Sequence, residues 1–316
     1  MATFASAAIV ALVAALVLTP LVRYLARRQG LLDKPDYRKV HPIPIPRLGG
    51  IAIAAAFYLG LAAAILVTSP GPNRLIEADQ LVAVLIGVAL IVCIGIVDDL
   101  FGMRARVKLS AQVSIAIVVA LLGLAIEHFD GPWGRIGLGV WSIPVTVIWF
   151  VLVMDAINLI DGLDGLASGV VLIAMGALYL VSVRAGIPLP LAAVLGAGAG
   201  AVLGFLPFNL SPASIIMGDT GSILLGFLVA AVGITVTQSG SPAAAPWVPI
   251  IVLAVPLLDT AWAVTRRAIA RSPIFAPDRK HVHHRLLAAG LSQGNAMLLL
   301  WAISASFGLV GVLIAR

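Results

Sequence analysis

The chain is built from long apolar runs separated by short polar breaks. Runs close to the roughly 20 residues that a membrane-crossing helix needs fall at about 3–22, 48–68, 80–97, 109–127, 138–157, 166–183, 187–206, 220–237, 246–264 and 295–314. Apolar and polar positions do not alternate over short segments, so the pattern predicts helices and not barrel strands. A helix also satisfies its own backbone hydrogen bonds inside a bilayer. The expected fold is all-α: a polytopic integral membrane protein of about ten transmembrane helices, forming one domain over residues 1–316. The seventh and ninth runs are rich in glycine or proline.

Composition agrees with this reading. Hydrophobic residues make up 61% of the chain and charged residues 11%, against about 25% charged in an average soluble domain. Mean hydropathy is +1.11. The single cysteine, Cys93, lies inside an apolar run and cannot form an intrachain disulfide; it reads as a buried thiol.

Charge placement sets the orientation. No lysine or arginine precedes the first apolar run, whereas a cleaved signal peptide carries one there. Arg23, Arg27 and Arg28 follow it instead, so a retained first helix with its N-terminus outside is expected. Counting alternately from there, the inner loops are 23–47, 98–108, 158–165, 207–219 and 265–294, and the C-terminus is also outside. Of the 20 lysines and arginines, all but Arg74, Arg135, Arg184 and Arg316 fall in those loops, as the positive-inside rule requires. Glu77 and Glu127 lie on the outer side, while Asp98, Asp99, Asp155, Asp161, Asp164, Asp219 and Asp259 fall at or near inner helix ends. A proton relay more often places its acids at mid-membrane. Acids at one interface beside basic loops suggest a cytoplasm-facing site where a soluble ligand meets the membrane. Gly196, Gly200 and Gly204 recur every four residues without the spacing or βαβ context of a dinucleotide loop, and predict close helix packing.

Four inner-face clusters carry candidate chemistry. Asp98-Asp99 ends the third run, with Lys108 following; adjacent carboxylates repel unless a cation is near. The alternative is a water-facing helix end, which the helix dipole disfavours for acids at a C-terminus. Asp155, Asn158, Asp161 and Asp164 are spaced by three and form one drifting stripe if the helix continues. Hard oxygen ligands of this kind suit Mg²⁺, which keeps waters and takes one or two protein oxygens plus substrate phosphates; a glycine-punctuated turn is the alternative. Asp219 opens the eighth run within Gly218-Asp219-Thr220-Gly221-Ser222, which reads as a helix start whose free amides suit a phosphate, or whose aspartate caps the helix. Finally, His281, His283 and His284 stand among Arg271, Arg279, Lys280 and Arg285. The crowding bases and the lack of cysteine argue against zinc. A diphosphate-binding loop fits better, and contact with anionic lipid heads is the alternative. Acids for a divalent cation and bases for phosphates, meeting at one leaflet, suggest phosphoryl transfer between a soluble nucleotide and a membrane lipid.

These motifs, "PIPRLGG" (44–50), "DDL" (98–100) with Lys108, "NLIDGLDGLA" (158–167), "GDTGS" (218–222) and "HVHHRL" (281–286), occur in that order. Along nearly its whole length the chain resembles the polyprenyl-phosphate N-acetylhexosamine-1-phosphate transferases. It is most similar to the bacterial undecaprenyl-phosphate N-acetylglucosamine-1-phosphate transferases, which start teichoic acid, O-antigen and related glycans. The resemblance implies transfer of GlcNAc-1-phosphate from UDP-GlcNAc to a polyprenyl phosphate in a bacterial plasma membrane, with Mg²⁺ or in its place Mn²⁺. It implies catalytic roles for Asp98, Asp99 and Lys108, and metal ligation by Asp219 and Asn158. Substrate binding falls to Asp161, Asp164, His281, His283, His284 and Arg285, with Asp164 on the uracil side. Asp155 departs from the asparagine expected at its place. The partners expected are UDP-GlcNAc, the polyprenyl lipid and the membrane, with no nucleic acid; a homodimer is one open option. Two rivals stay open: a phospho-MurNAc-pentapeptide transferase and an ion-coupled transporter.

Overall fold

The computed structural model describes residues 2–33, 43–67, 75–131, 134–186, 189–239, 241, 245–273 and 280–315. Lys34, Arg38, Lys39 and Arg279, which contribute to the inner-loop charge, lie outside the described residues. Twelve α-helices are described: α1 Ala2–Arg28, α2 Gly49–Val67, α3 Leu75–Phe101, α4 Ala105–Leu121, α5 Ser142–Ile160, α6 Leu166–Arg184, α7 Leu189–Asn209, α8 Gly218–Thr237, α9 Trp247–Val252, α10 Ala254–Ile269, α11 Val282–Ala288 and α12 Gln293–Ile314. Among the described residues, sheet is confined to two small antiparallel pairings: β1 Leu32–Asp33 with β2 Ile45–Pro46, and β3 His128–Gly131 with β4 Gly134–Gly137.

Every predicted run contains helix, and among the described residues eight helices are long and apolar enough to cross a membrane. Cys93, expected as a buried thiol, is exposed on α3, because an apolar run in a membrane bundle has a lipid-facing side as well as a core-facing one. Two runs depart from a simple span. The run predicted at 109–127 is the 17-residue α4, which starts earlier, at Ala105, and carries Arg106 and Lys108 in its first turn. The run predicted at 246–264 is divided at Leu253 into α9 and α10. Pro256 lacks an N–H for the carbonyl four residues back, and in the first turn of a new helix that loss costs nothing.

The bundle is arranged around α8. In its most apolar stretch 94% of residues are buried, against 22% in α1, and it packs on α2, α3, α5, α6 and α7. Its 20 residues rise about 30 Å, the thickness of a bilayer's hydrocarbon core. At its far end Gln238 accepts from the amides of Glu127 and His128, at 2.8 and 3.3 Å, and donates to the His128 carbonyl at 3.1 Å. This fastens the β3–β4 hairpin there. At its near end sit the ends of the other helices that carry the predicted clusters. The Trp301 indole of α12 donates to the Leu166 carbonyl that starts α6. Arg23 of α1 lies 5.9 Å over the Phe208 ring at the end of α7.

The glycine ladder of α7 packs against α1. A Cβ on Gly196, Gly200 or Gly204 would stand 2.4, 2.2 and 2.4 Å from the carbonyl oxygens of Phe4, Ala8 and Leu12. Lipid offers no hydrophobic force to drive helices together, so small residues that admit close backbone approach do this work. Gly200→Leu is expected to force α1 from α7 and destabilise the fold by about 1–3 kcal/mol. A lower thermal aggregation temperature in detergent checks this; an unchanged one refutes the packing role.

Candidate functional site

The near end of the bundle is held by one carboxylate. Asp99, 4% exposed, sits in the last turn of α3 and caps a different helix. Its Oδ1 accepts from the Asp219 amide at 2.9 Å, and its Oδ2 from the Thr220 amide at 3.0 Å and the Thr220 hydroxyl at 2.5 Å. The N-cap residue of α8, Met217, offers no side-chain cap of its own. An acid at a helix N-terminus satisfies orphan amides and faces the favourable end of the dipole. Gly218 allows the approach: its φ is +71°, and a Cβ there would lie 2.6 Å from a carboxylate oxygen of Asp99. Two amides that the sequence suggested were free for a phosphate are therefore already taken by protein.

This anchoring places Asp219 between α4 and α5. Lys108 Nζ lies 2.5 Å from Asp219 Oδ1 and 3.0 Å from Asp98 Oδ2, and donates to Asn158 Oδ1 at 3.4 Å. Asn158 Nδ2 donates to Asp219 Oδ1 at 2.6 Å and to the Ser222 hydroxyl at 2.8 Å. Asp98 Oδ1 accepts from the Met103 amide at 2.7 Å. Lys108 thus neutralises two carboxylates from two helices. Asp219 is the most open of the three, its side chain 35% exposed against 15% for Lys108 and 9% for Asp98.

The acidic stripe does not continue along one helix. α5 ends at Ile160 and Asp161 is its C-cap, so only Asp155 and Asn158 share its face. Asp155 accepts from the Gln112 amide of α4 at 3.0 Å. Asp164 lies in the following turn and accepts from the Ala213 amide at 3.0 Å, pinning the 210–217 loop. Asp161 is drawn into the acid group electrostatically: burial first, then the charges of Asp219, Asp99 and Asp164, push its carboxyl up to about 8.

The histidine segment forms the start of α11. His281 and His283 are buried, His284 is half-buried and Arg285 is exposed. Asp259 Oδ2 is 2.8 Å from His281 Nδ1, and its Oδ1 accepts from the Val282 amide at 2.8 Å. His283 packs on the acidic turn, where a Cβ on Gly162 would lie 2.2 Å from His283 Nε2. Burial, and then His284 and His281, hold the His283 ring down to about 3, so it is neutral at physiological pH. Gly162 therefore makes room for a neutral imidazole.

Among the described residues no three His, Cys, Asp or Glu side chains form a metal-ligand group by themselves. A divalent cation suits the site on Mg²⁺ terms: one or two protein oxygens, with the rest from phosphate and water. Asp219 fits that role, since only its Oδ1 takes the bonds from Lys108 and Asn158. Thr220, Ser222 and Asp259 stood in or near the predicted clusters without an assigned partner, and Gln112 was not singled out at all. Gln112, 1% exposed, left a faint signal as a lone amide in an apolar run. Ser222, Thr220 and Asp259 gained their partners only by long-range packing.

Most of the central stretch, residues 81–237, matches the model of glycosyl transferase family 4. The chain is 36% identical to a probable undecaprenyl-phosphate N-acetylglucosaminyl 1-phosphate transferase of Bacillus subtilis, over 97% of this chain and 83% of that protein. It is 38% identical to a decaprenyl-phosphate N-acetylglucosaminephosphotransferase of Mycolicibacterium smegmatis, over 95% and 80% of the two chains. An undecaprenyl-phosphate alpha-N-acetylglucosaminyl 1-phosphate transferase of Escherichia coli is 29% identical over 92% and 78%. The apolar helices and these relatives together identify a membrane-embedded transferase. The chain belongs to glycosyl transferase family 4, and is a multi-pass protein of the bacterial plasma membrane.

Asp99→Ala leaves three buried donors of α8 without their acceptor, each worth about 1–3 kcal/mol. It is expected to lower the thermal midpoint far more than Asp98→Asn, whose partners are fewer and more accessible. Equal midpoints for the two variants contradict the anchoring role.

Proposed function

We propose that the protein transfers GlcNAc-1-phosphate from UDP-GlcNAc to a polyprenyl phosphate, yielding polyprenyl-diphosphate-GlcNAc and UMP. The names of its relatives support the reaction class. The observation that carries the reading onto this chain is Lys108, held between Asp98 and Asp219 at the basic end of the bundle. In this orientation that end faces the cytoplasm, by the positive-inside rule.

A phosphate oxygen of the lipid attacks the sugar-bearing phosphorus of UDP-GlcNAc. The bond from that phosphorus to the bridging oxygen breaks, and UMP leaves with the electron pair. Such transfers depend on positioning and on charge stabilisation at the phosphoryl oxygens. Lys108 supplies one fixed positive charge. Asp98, bonded to it, orients the lipid phosphate and takes any proton that phosphate carries. Asp99 keeps its oxygens on α8. Asp164 and the 210–217 loop it pins form the uracil side, and His284 and Arg285 face the diphosphate and sugar. Asp219, with Asn158 beside it, would hold Mg²⁺, or Mn²⁺ in its place, which would supply Lewis-acid stabilisation of the diphosphate.

Purified protein given UDP-GlcNAc, polyprenyl phosphate and Mg²⁺ is expected to release UMP; turnover of UDP-MurNAc-pentapeptide alone refutes the donor assignment, and ion uptake into proteoliposomes without UMP release refutes the reaction class. Asp219→Asn is expected to cut kcat at least 100-fold, about 2.7 kcal/mol or more, and to weaken the Mg²⁺ dependence. Near-normal turnover in that variant removes the metal assignment.

The Asp161 shift gives a pH prediction. A carboxyl raised to about 8 from the usual value near 4 binds its proton more tightly when folded. Its contribution to stability therefore falls as pH rises between those two values. A cation among the acids competes with that proton and offsets the loss. The thermal shift produced by Mg²⁺ is expected to be larger at pH 8.5 than at pH 6.5, and smaller in Asp161→Asn. A shift independent of pH contradicts it.

A further inference from the structure

Asp259 takes no part in the cluster around Lys108. It lies in the second turn of α10, 9% exposed, on the helix set free by the break at Leu253. Both of its oxygens reach one short stretch: Oδ2 to His281 Nδ1 and Oδ1 to the Val282 amide, each at 2.8 Å. His281 is the N-cap of α11 but supplies no side-chain cap bond. As Asp99 does for α8, Asp259 caps a helix start from another helix. An ionised carboxylate only accepts, so the imidazole proton sits on Nδ1 and the tautomer of His281 is set. Two bonds to adjacent groups fix rotation as well as distance, which one bond does not.

The consequence reaches the acidic turn. α11 begins at Val282, so holding that amide sets the register at which His283 meets Gly162. The His281 and His283 rings lie nearly parallel, 6° apart with centroids separated by 5.9 Å, and the His283 and His284 centroids are 4.2 Å apart. The three imidazoles pack side by side, and the carboxylate of Asp259 bonds the first of them to α10.

We propose that Asp259 is a positioning residue for the transferase: through His281 Nδ1 and the Val282 amide it fixes the tautomer of His281 and the placement of α11 over the Asp161–Asp164 turn. This rests on the phosphoryl-transfer reading given above. Asp259 touches no reacting atom in this scheme and acts only through the histidine segment.

The test uses the full-length protein in detergent with Asp259→Asn and Asp259→Glu. Asparagine has one acceptor where aspartate has two and presents N–H donors beside it, so it cannot hold both groups in the same way. Asp259→Asn is expected to lower kcat ten-fold or more with KM for the polyprenyl phosphate within two-fold, while Asp259→Glu recovers part of the loss. The double variant Asp259→Asn/His281→Gln is expected to lose no more than the worse single variant, since both remove one interaction. Wild-type kcat in Asp259→Asn, or additive losses in the double variant, overturns the proposal. A second readout needs no turnover. With only 5 histidines in the chain, ¹⁵N-histidine NMR can assign His281 by its loss in His281→Gln. A protonated Nδ1 in the unaltered protein that loses its proton in Asp259→Asn supports the proposal, and the same tautomer in both overturns it. If the unaltered protein releases no UMP, the transferase reading fails, and the NMR result still decides whether Asp259 sets the histidine.

Discussion

Two amides at the start of α8 are satisfied from α3, and the rest of the site follows from that. The first turn of any helix carries N–H groups with no partner in the helix, and at the edge of a bilayer core an unsatisfied group is costly. Here the partner is Asp99, with both oxygens engaged. The bond pattern sets the rotation and depth of α8, and with them the position of Asp219. Gln238 ties the other end of the same helix to the β3–β4 hairpin. A helix packed on five neighbours and fastened at both ends is a rigid platform for a site assembled from several chain segments.

Charge balance is the second constraint. Asp98, Asp99, Asp155, Asp161, Asp164 and Asp219 collect near the ends of α3, α5 and α8, and the lysine among them is Lys108. Its position between Asp98 and Asp219 makes these two acids compatible in a half-buried setting. Three of the remaining acids are held by neutral donors: Gln112 for Asp155, the Ala213 amide for Asp164, and the Asp219 and Thr220 groups for Asp99. Burial first, and then the charges of Asp219, Asp99 and Asp164, push the Asp161 carboxyl up to about 8. A site of this kind is completed by cations and by substrates that bring cations with them.

The histidine segment shows the same economy of means. A carboxylate in α10 caps the start of α11, and a neutral imidazole fits against a residue with no side chain. Of the four predicted members, His281 and His283 are enclosed, while His284 and Arg285 lie toward the surface. One motif thus splits into a supporting half and an outward-facing half.

The all-α class and the apolar runs, eight of which are helices long enough to cross a membrane among the described residues, were legible in the sequence, because bilayer thickness acts on local composition. The α7 glycine ladder was legible for a similar reason: period four marks one helix face. The acids and histidines were also visible, as polar residues that an apolar chain has no other reason to keep. Their division of labour was not. Asp99 meets residues 120 and 121 positions away, Lys108 meets Asp219 across 111, and Asp259 meets His281 across 22. The stripe spaced by three looked continuous because periodicity alone does not reveal where a helix ends; the chain leaves α5 at Ile160, so Asp161 and Asp164 belong to the turn that follows. Local spacing specifies which groups are available at the interface. Which oxygen accepts from which donor is decided only when separate helices pack, since each carboxylate has two acceptors and the nearest unmet amides belong to other helices.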